Sequence, residues 1–106
     1  MTTFDKREEG FEKRFALDEE TRFKAVARRN KKLGLWAAGK LGLTGDAAAE
    51  YAKEVVIADL QEAGDEDVFR KVRGDFDAKG VDVSDHQIRR SMDEFMVAAA
   101  EEMKAG

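Results

Sequence analysis

Apolar residues recur at three- and four-residue spacing along most of the chain, and strict alternation is confined to Val81-Asp82-Val83. That is the period of helices, with almost no support for strands. From about Asp18 to Leu41, the residues Phe23, Val26, Ala27, Leu33, Ala37 and Leu41 share a broad face with Trp36 at its edge, which predicts a long first helix. Gly42-Leu43-Thr44-Gly45 closes it, and Thr44 stands where it can cap a second helix from about Asp46 to Glu62. The inward positions of that helix are Ala48, Tyr51, Ala52, Val55 and Leu60. Gly64-Asp65-Glu66-Asp67 joins a helix stop to a helix start, and its carboxylates suit the positive end of a helix dipole. The third helix spans about Glu66 to Lys79 on Phe69, Val72 and Phe76, with Gly80 as its stop. After the extended Val81-Asp82-Val83, Ser84 and Gln87 form a capping box for a last helix carrying Ile88, Met92, Phe95, Met96, Ala99 and Met103. Connections this short imply antiparallel neighbours. The fold class is therefore all-α, a four-helix bundle over residues 18–106.

Residues 1–17 follow another pattern. At 100° per residue, Phe4, Phe11 and Phe15 fall within about 40° of one another, far narrower than the stripe of roughly 100° that a core helix presents. Glu9 with Lys13 and Arg14 with Asp18 are opposite-charge pairs four residues apart, each worth only ~0.2–0.5 kcal/mol, and Gly10 interrupts the middle. Such a segment reads as a flexible or partly helical N-terminal arm, one that becomes helical when its aromatic stripe meets a partner's groove. The competing expectation is that it extends the first helix and packs on the bundle.

Composition sharpens this picture. The 106 residues are 42% hydrophobic and 40% charged, without proline or cysteine. One domain with heavily charged outer faces fits these values, and disulfides, thiol chemistry and cysteine metal sites are excluded. No apolar run approaches the ~20 residues that span a membrane, and the charged N-terminus has no signal-peptide apolar core, so a cytoplasmic setting is expected. Charge is uneven: residues 1–32 carry a net +3 and residues 33–106 a net −7, within the total of −4. Between Arg22 and Lys32 lie six cations, Arg22, Lys24, Arg28, Arg29, Lys31 and Lys32, with no anion among them. A basic-helix nucleic-acid adaptor is one reading of that run. Against it, the cations spread around the helix and no second basic element completes a footprint. The acidic remainder can instead pair with them internally.

Catalytic constellations are thin, and the chain is not expected to be an enzyme or to hold a cofactor or metal. His86 is the single histidine and falls in the first turn of a helix. Asp75-x-Asp77-x-Lys79-Gly80 echoes a calcium loop but has Lys79 at the fifth position and His86 at the twelfth, where a bidentate glutamate belongs. Gly39-x-x-Gly42-x-x-Gly45 lacks the Gly-Lys-Ser/Thr ending of a phosphate loop. A small helical sensor of adenine nucleotides is thus without motif support. Gly34 and Gly39 inside the first helix imply either the close approach of another helix or a hinge.

Several strings occur in an order that resembles a known family. They are Phe4-Asp5, Arg7-Glu8, Phe15-Ala16, Phe23-Lys24-Ala25, Ala27-Arg28-Arg29-Asn30, Leu33-Gly34, Trp36-Ala37-Ala38, Asp67-Val68-Phe69-Arg70-Lys71 and Ile88-Arg89. Nearly the whole chain is similar to the zeta subunit of alphaproteobacterial ATP synthases, and the Ala-Arg-Arg-Asn…Trp-Ala-Ala spacing is the most specific part. The resemblance implies a four-helix protein that inhibits ATP hydrolysis by the catalytic head. It implies that the arm enters between a catalytic beta subunit and an alpha subunit near the gamma rotor, becomes helical there, and blocks rotation in the hydrolytic direction. On this chain the inhibitory arm is residues 1–17, with Phe4, Phe11, Phe15 and Leu17 as apolar anchors and Arg7, Glu8, Glu12, Lys13 and Arg14 setting register. Arg22, Lys24, Arg28, Arg29, Lys31 and Lys32 offer a secondary docking surface. The expected location is cytoplasmic, peripheral to the inner membrane through the ATP synthase. Gly10 departs from the good helix former expected at its place.

Overall fold

Asp18 caps the first helix. Its backbone is extended (φ −74°, ψ 172°), and its carboxylate accepts the Thr21 N–H at 2.7 Å. That bond satisfies a donor which the first helical turn leaves open. Hydrogen bonds from Thr21 hold the Asp18 carboxyl below the ordinary range. The computed structural model describes residues 18–60 and 65–105, and their regular structure is four helices. These are α1 (Glu19–Lys40), α2 (Gly45–Asp59), α3 (Glu66–Lys79) and α4 (Asp85–Ala105). The arm proposed on residues 1–17, with Phe4, Arg7, Glu8, Phe11, Glu12, Lys13, Arg14, Phe15 and Leu17, lies outside the described residues, as does the stretch 61–64. The extended Asp18 is the N-cap of α1.

The helix ends follow from local chemistry. Gly42 takes a left-handed φ of 81°, the Leu43 N–H bonds the Ala38 carbonyl at 2.8 Å, and the Gly42 N–H bonds that of Gly39 at 3.2 Å. α3 ends the same way, with Gly80 at φ 69°, Val81 bonding Phe76 and Gly80 bonding Asp77. Each is a Schellman closure that glycine reaches without steric cost. The predicted capping box is present: Gln87 N–H donates to Ser84 Oγ at 3.1 Å, and Ser84 N–H donates to Gln87 Oε1 at 2.9 Å. Thr44 and Asp65 precede α2 and α3 without capping through their side chains.

α1 packs along both α2 and α4, while α3 lies against α2 and α4 and touches α1. The core is built from Leu33, Ala37 and Ala38 of α1, Tyr51 and Val55 of α2, Val68, Phe69, Val72 and Phe76 of α3, Val83, and Ile88 and Met92 of α4. Trp36 meets Phe76 edge-on, with ring centroids 5.8 Å apart. α1 and α2 approach closely at Gly34, since a Cβ built there would stand 2.6 Å from the Ala52 Cα. Gly39 has open space beside it. The close-approach reading therefore holds for Gly34 alone.

Two expectations are corrected. Phe23 is 64% exposed, although its direction around α1 matches the buried stripe. Leu60 is 65% exposed because α2 stops at Asp59, so Leu60 serves as the C-cap and is not an inward position.

Candidate functional site

The six cations of α1 do not form one surface. Lys24 pairs with Glu20 one turn earlier at 3.2 Å. Arg28 and Lys32, also one turn apart, both reach Glu102 on α4, Arg28 at 3.1 Å. Lys32 first, and Arg28 after it, hold the Glu102 carboxyl below the usual carboxylate range. Lys31 is exposed and Arg22 half-buried. The acidic part of the chain thus engages the basic helix internally.

Arg29 is the outlier, 3% exposed on the core side of α1 beside Asn30 at 1%. Its Nε donates to Asn30 Oδ1 at 2.6 Å, and its terminal nitrogen donates to Asp65 Oδ1 at 2.9 Å. Asn30 in turn bonds Asp59, whose carboxyl is pushed up by burial against the opposing effects of that bond and of Arg29. These residues tie α1 to the end of α2 and the start of α3. Among the described residues no buried side-chain polar atom lacks a partner. The network is therefore complete, and it holds the α2–α3 corner to α1 without leaving a group aimed at a ligand.

Polar ties between α2, α3 and α4 are likewise closed. Tyr51 donates its hydroxyl to Asp75 at 2.8 Å, and Lys71 bonds the same carboxylate at 3.0 Å while lying over the Tyr51 ring. Burial first, and the Asp75 bond second, push the Tyr51 hydroxyl well above its ordinary pKa. Arg73 spans Asp77, the Val83 carbonyl and Asp85, which fastens the α3–α4 connection. Arg89 stacks 4.0 Å from the Phe69 ring centroid and pairs with Glu66. His86 sits exposed in the first turn of α4. No cluster of His, Cys, Asp and Glu suited to a metal occurs among the described residues, and no described helix is long and apolar enough to cross a membrane.

Among the described residues a groove open to solvent lies between the start of α1 and the end of α4. Phe23, Lys24, Ala27 and Arg28 of α1 line it with Glu102 and Met103 of α4. Three of its lining residues are apolar and three charged; of the charged ones, Lys24 is paired with Glu20 and Arg28 with Glu102. Sequence reasoning missed this feature. Periodicity reports the direction of a side chain around its helix but not whether a neighbouring helix reaches that turn, and α2 is seven residues shorter than α1.

Comparison with known proteins adds the remaining information. A family model described as ATPase inhibitor subunit zeta matches residues 1–102. A solution NMR structure aligns with a TM-score of 0.70 at 48% sequence identity, covering 79% of this chain and 95% of that one. A search of curated proteins returned no match.

Proposed function

The chain belongs to the ATPase inhibitor subunit zeta family, and from that premise we propose that residues 1–17 are the inhibitory element and residues 18–106 the body that carries it. Family membership makes this a regulatory protein of the ATP synthase, acting against ATP hydrolysis. The finer reading is that the arm wedges between an alpha and a beta subunit of the catalytic head beside the gamma rotor, and that the body stays outside. Phe4, Phe11, Phe15 and Leu17 then supply the buried anchors, and Arg7, Glu8, Glu12, Lys13 and Arg14 orient entry. Apolar anchors in a desolvated cleft carry most of the energy of such contacts, while rim charges steer. A protein so engaged sits on the cytoplasmic side, peripheral to the membrane through its partner.

One observation carries this reading. The family match takes in residues 1–102, and among the described residues the buried apolar core runs from Ala25 onward. The match therefore takes in residues 1–17 as well as the helices that build the described core. The nucleic-acid alternative loses ground for a separate reason: Lys24, Arg28, Arg29 and Lys32 are already matched to carboxylates, leaving few phosphate-neutralising charges.

The test is ATP hydrolysis by the purified catalytic head with full-length protein and with protein lacking residues 1–17. Full-length protein should inhibit. The shortened protein should not, while retaining its helical circular dichroism. Equal inhibition by both would overturn the assignment of the arm.

A further inference from the structure

The groove bounded by Phe23, Ala27 and Met103 is not explained by inhibition alone. Phe23 is the most unusual residue in it: a phenylalanine 64% exposed on a helix whose other side of the same stripe is closed core. From this geometry we propose that the groove is the resting site of the chain's own N-terminal arm, occupied by Phe15 and Phe11 when the arm is not engaged by the synthase. The proposal rests on the reading of residues 1–17 as the inhibitory element and adds a control over it.

Tethering selects this occupant over others. The arm joins α1 at Asp18, and the extended backbone there turns the chain out of the α1 axis. From Asp18 to Phe23 the helix rises ~7.5 Å, and the three residues back to Phe15 reach up to ~10 Å when extended. Phe15 is therefore within reach of Phe23, and Phe11 can reach further along the groove. A segment attached this closely acts at an effective concentration in the millimolar range. Even a weak aromatic contact is then substantially formed, which a second copy or a free partner at micromolar concentration cannot match.

The chemistry of the groove suits aromatic rings. Phe23 and Ala27 offer apolar surface, and the half-buried thioether of Met103 makes favourable sulfur–ring contacts. The rim charges are already paired, Lys24 with Glu20 and Arg28 with Glu102. An entering ring therefore covers closed ion pairs and does not strip water from an isolated charge. Docking of this kind withholds the arm, so the apparent affinity for the synthase is the intrinsic affinity multiplied by the undocked fraction.

The experiment uses the full chain, which has no cysteine of its own. A nitroxide placed through Thr3→Cys, read by methionine-methyl NMR, compares Met103 in the groove with Met92 in the core. Met103 should broaden several-fold more than Met92, independently of protein concentration, and a Phe11→Ala/Phe15→Ala variant should remove the excess. Equal broadening at the two methyls overturns the proposal. So does broadening that grows with concentration, which would make a second copy the occupant. In the hydrolysis assay Phe23→Ala should speed the onset of inhibition about twofold or more. Slower or weaker inhibition would instead place the groove against the synthase and also overturn the proposal. Should removal of residues 1–17 leave inhibition intact, the inhibitory reading fails while the excess Met103 broadening still reports docking, so the two ideas fail separately.

Discussion

Two glycines in helix interiors, alike in sequence, differ completely in what surrounds them. A methyl on Gly34 would press to 2.6 Å of the Ala52 Cα, a backbone atom that cannot swing aside. Gly34→Ala should therefore destabilise by ~1–3 kcal/mol through overpacking, seen as a lower urea midpoint at unchanged slope. Gly74 lies inside α3 with nothing within 4 Å of its would-be Cβ. Gly74→Ala should stabilise by up to ~1 kcal/mol on helix propensity alone, and the pair of measurements separates packing from propensity. Asp59 offers a third test, through pH. It accepts a bond from Asn30 and faces Arg29, Asp65 and Asp67, with burial raising its pKa. A carboxyl whose pKa is raised in the folded state takes up its proton, on acidification, at a higher pH than in the unfolded chain. Its ionised form costs stability at neutral pH, and that cost disappears as pH falls through the folded value toward the unfolded ~3.9. Asp59→Asn should be more stable than the parent at pH 7, and the gain should shrink toward pH 4. A gain that grows on acidification would contradict the assignment.

At the scale of elements, Arg29 is the side chain on which α1, α2 and α3 converge. It is buried, it satisfies Asn30, and it reaches the half-exposed Asp65 just before α3. Arg29→Ala would strand the Asn30 oxygen and leave the corner between α2 and α3 untied, a loss of roughly 2–3 kcal/mol, measurable by thermal or urea unfolding. Arg29→Met, which keeps volume without the charge, should lose less. Buried polar residues of this kind also mark where sequence reading stops. Elements set by local chemistry were legible: α3 begins at Glu66 and ends at Gly80 as expected, and the Ser84–Gln87 box forms. The inward role of Arg29 and Asn30 was not legible, because their partners are supplied by residues some thirty positions away. Hydrophobic periodicity passes over them and gives weight to Phe23. That residue points the right way around the helix on a turn which α2 does not cover.

For the molecule as a whole, the proposed division into body and arm makes a prediction about stability. Within the basic α1, Arg28 and Lys32 are paired with Glu102 and Arg29 with Asp65, so these three charges are met across the bundle. The described core, from Ala25 to Ala100, draws on all four helices. Removal of residues 1–17 should therefore leave a cooperative unfolding transition with nearly the same denaturant slope, since that slope follows the surface exposed on unfolding. The docked arm adds only what a weak tethered contact can add. If docked and free arms are comparably populated, the stabilisation is RT times the logarithm of about two, or ~0.4 kcal/mol, and even nine-tenths docking gives only ~1.4 kcal/mol. Full-length and shortened protein compared by urea unfolding should thus differ by no more than about 1.5 kcal/mol. A larger loss, or a broadened transition in the shortened protein, would mean that the arm is part of the core. On the proposed mechanism, an arm that leaves its own body to enter another protein's interface has to be held this loosely.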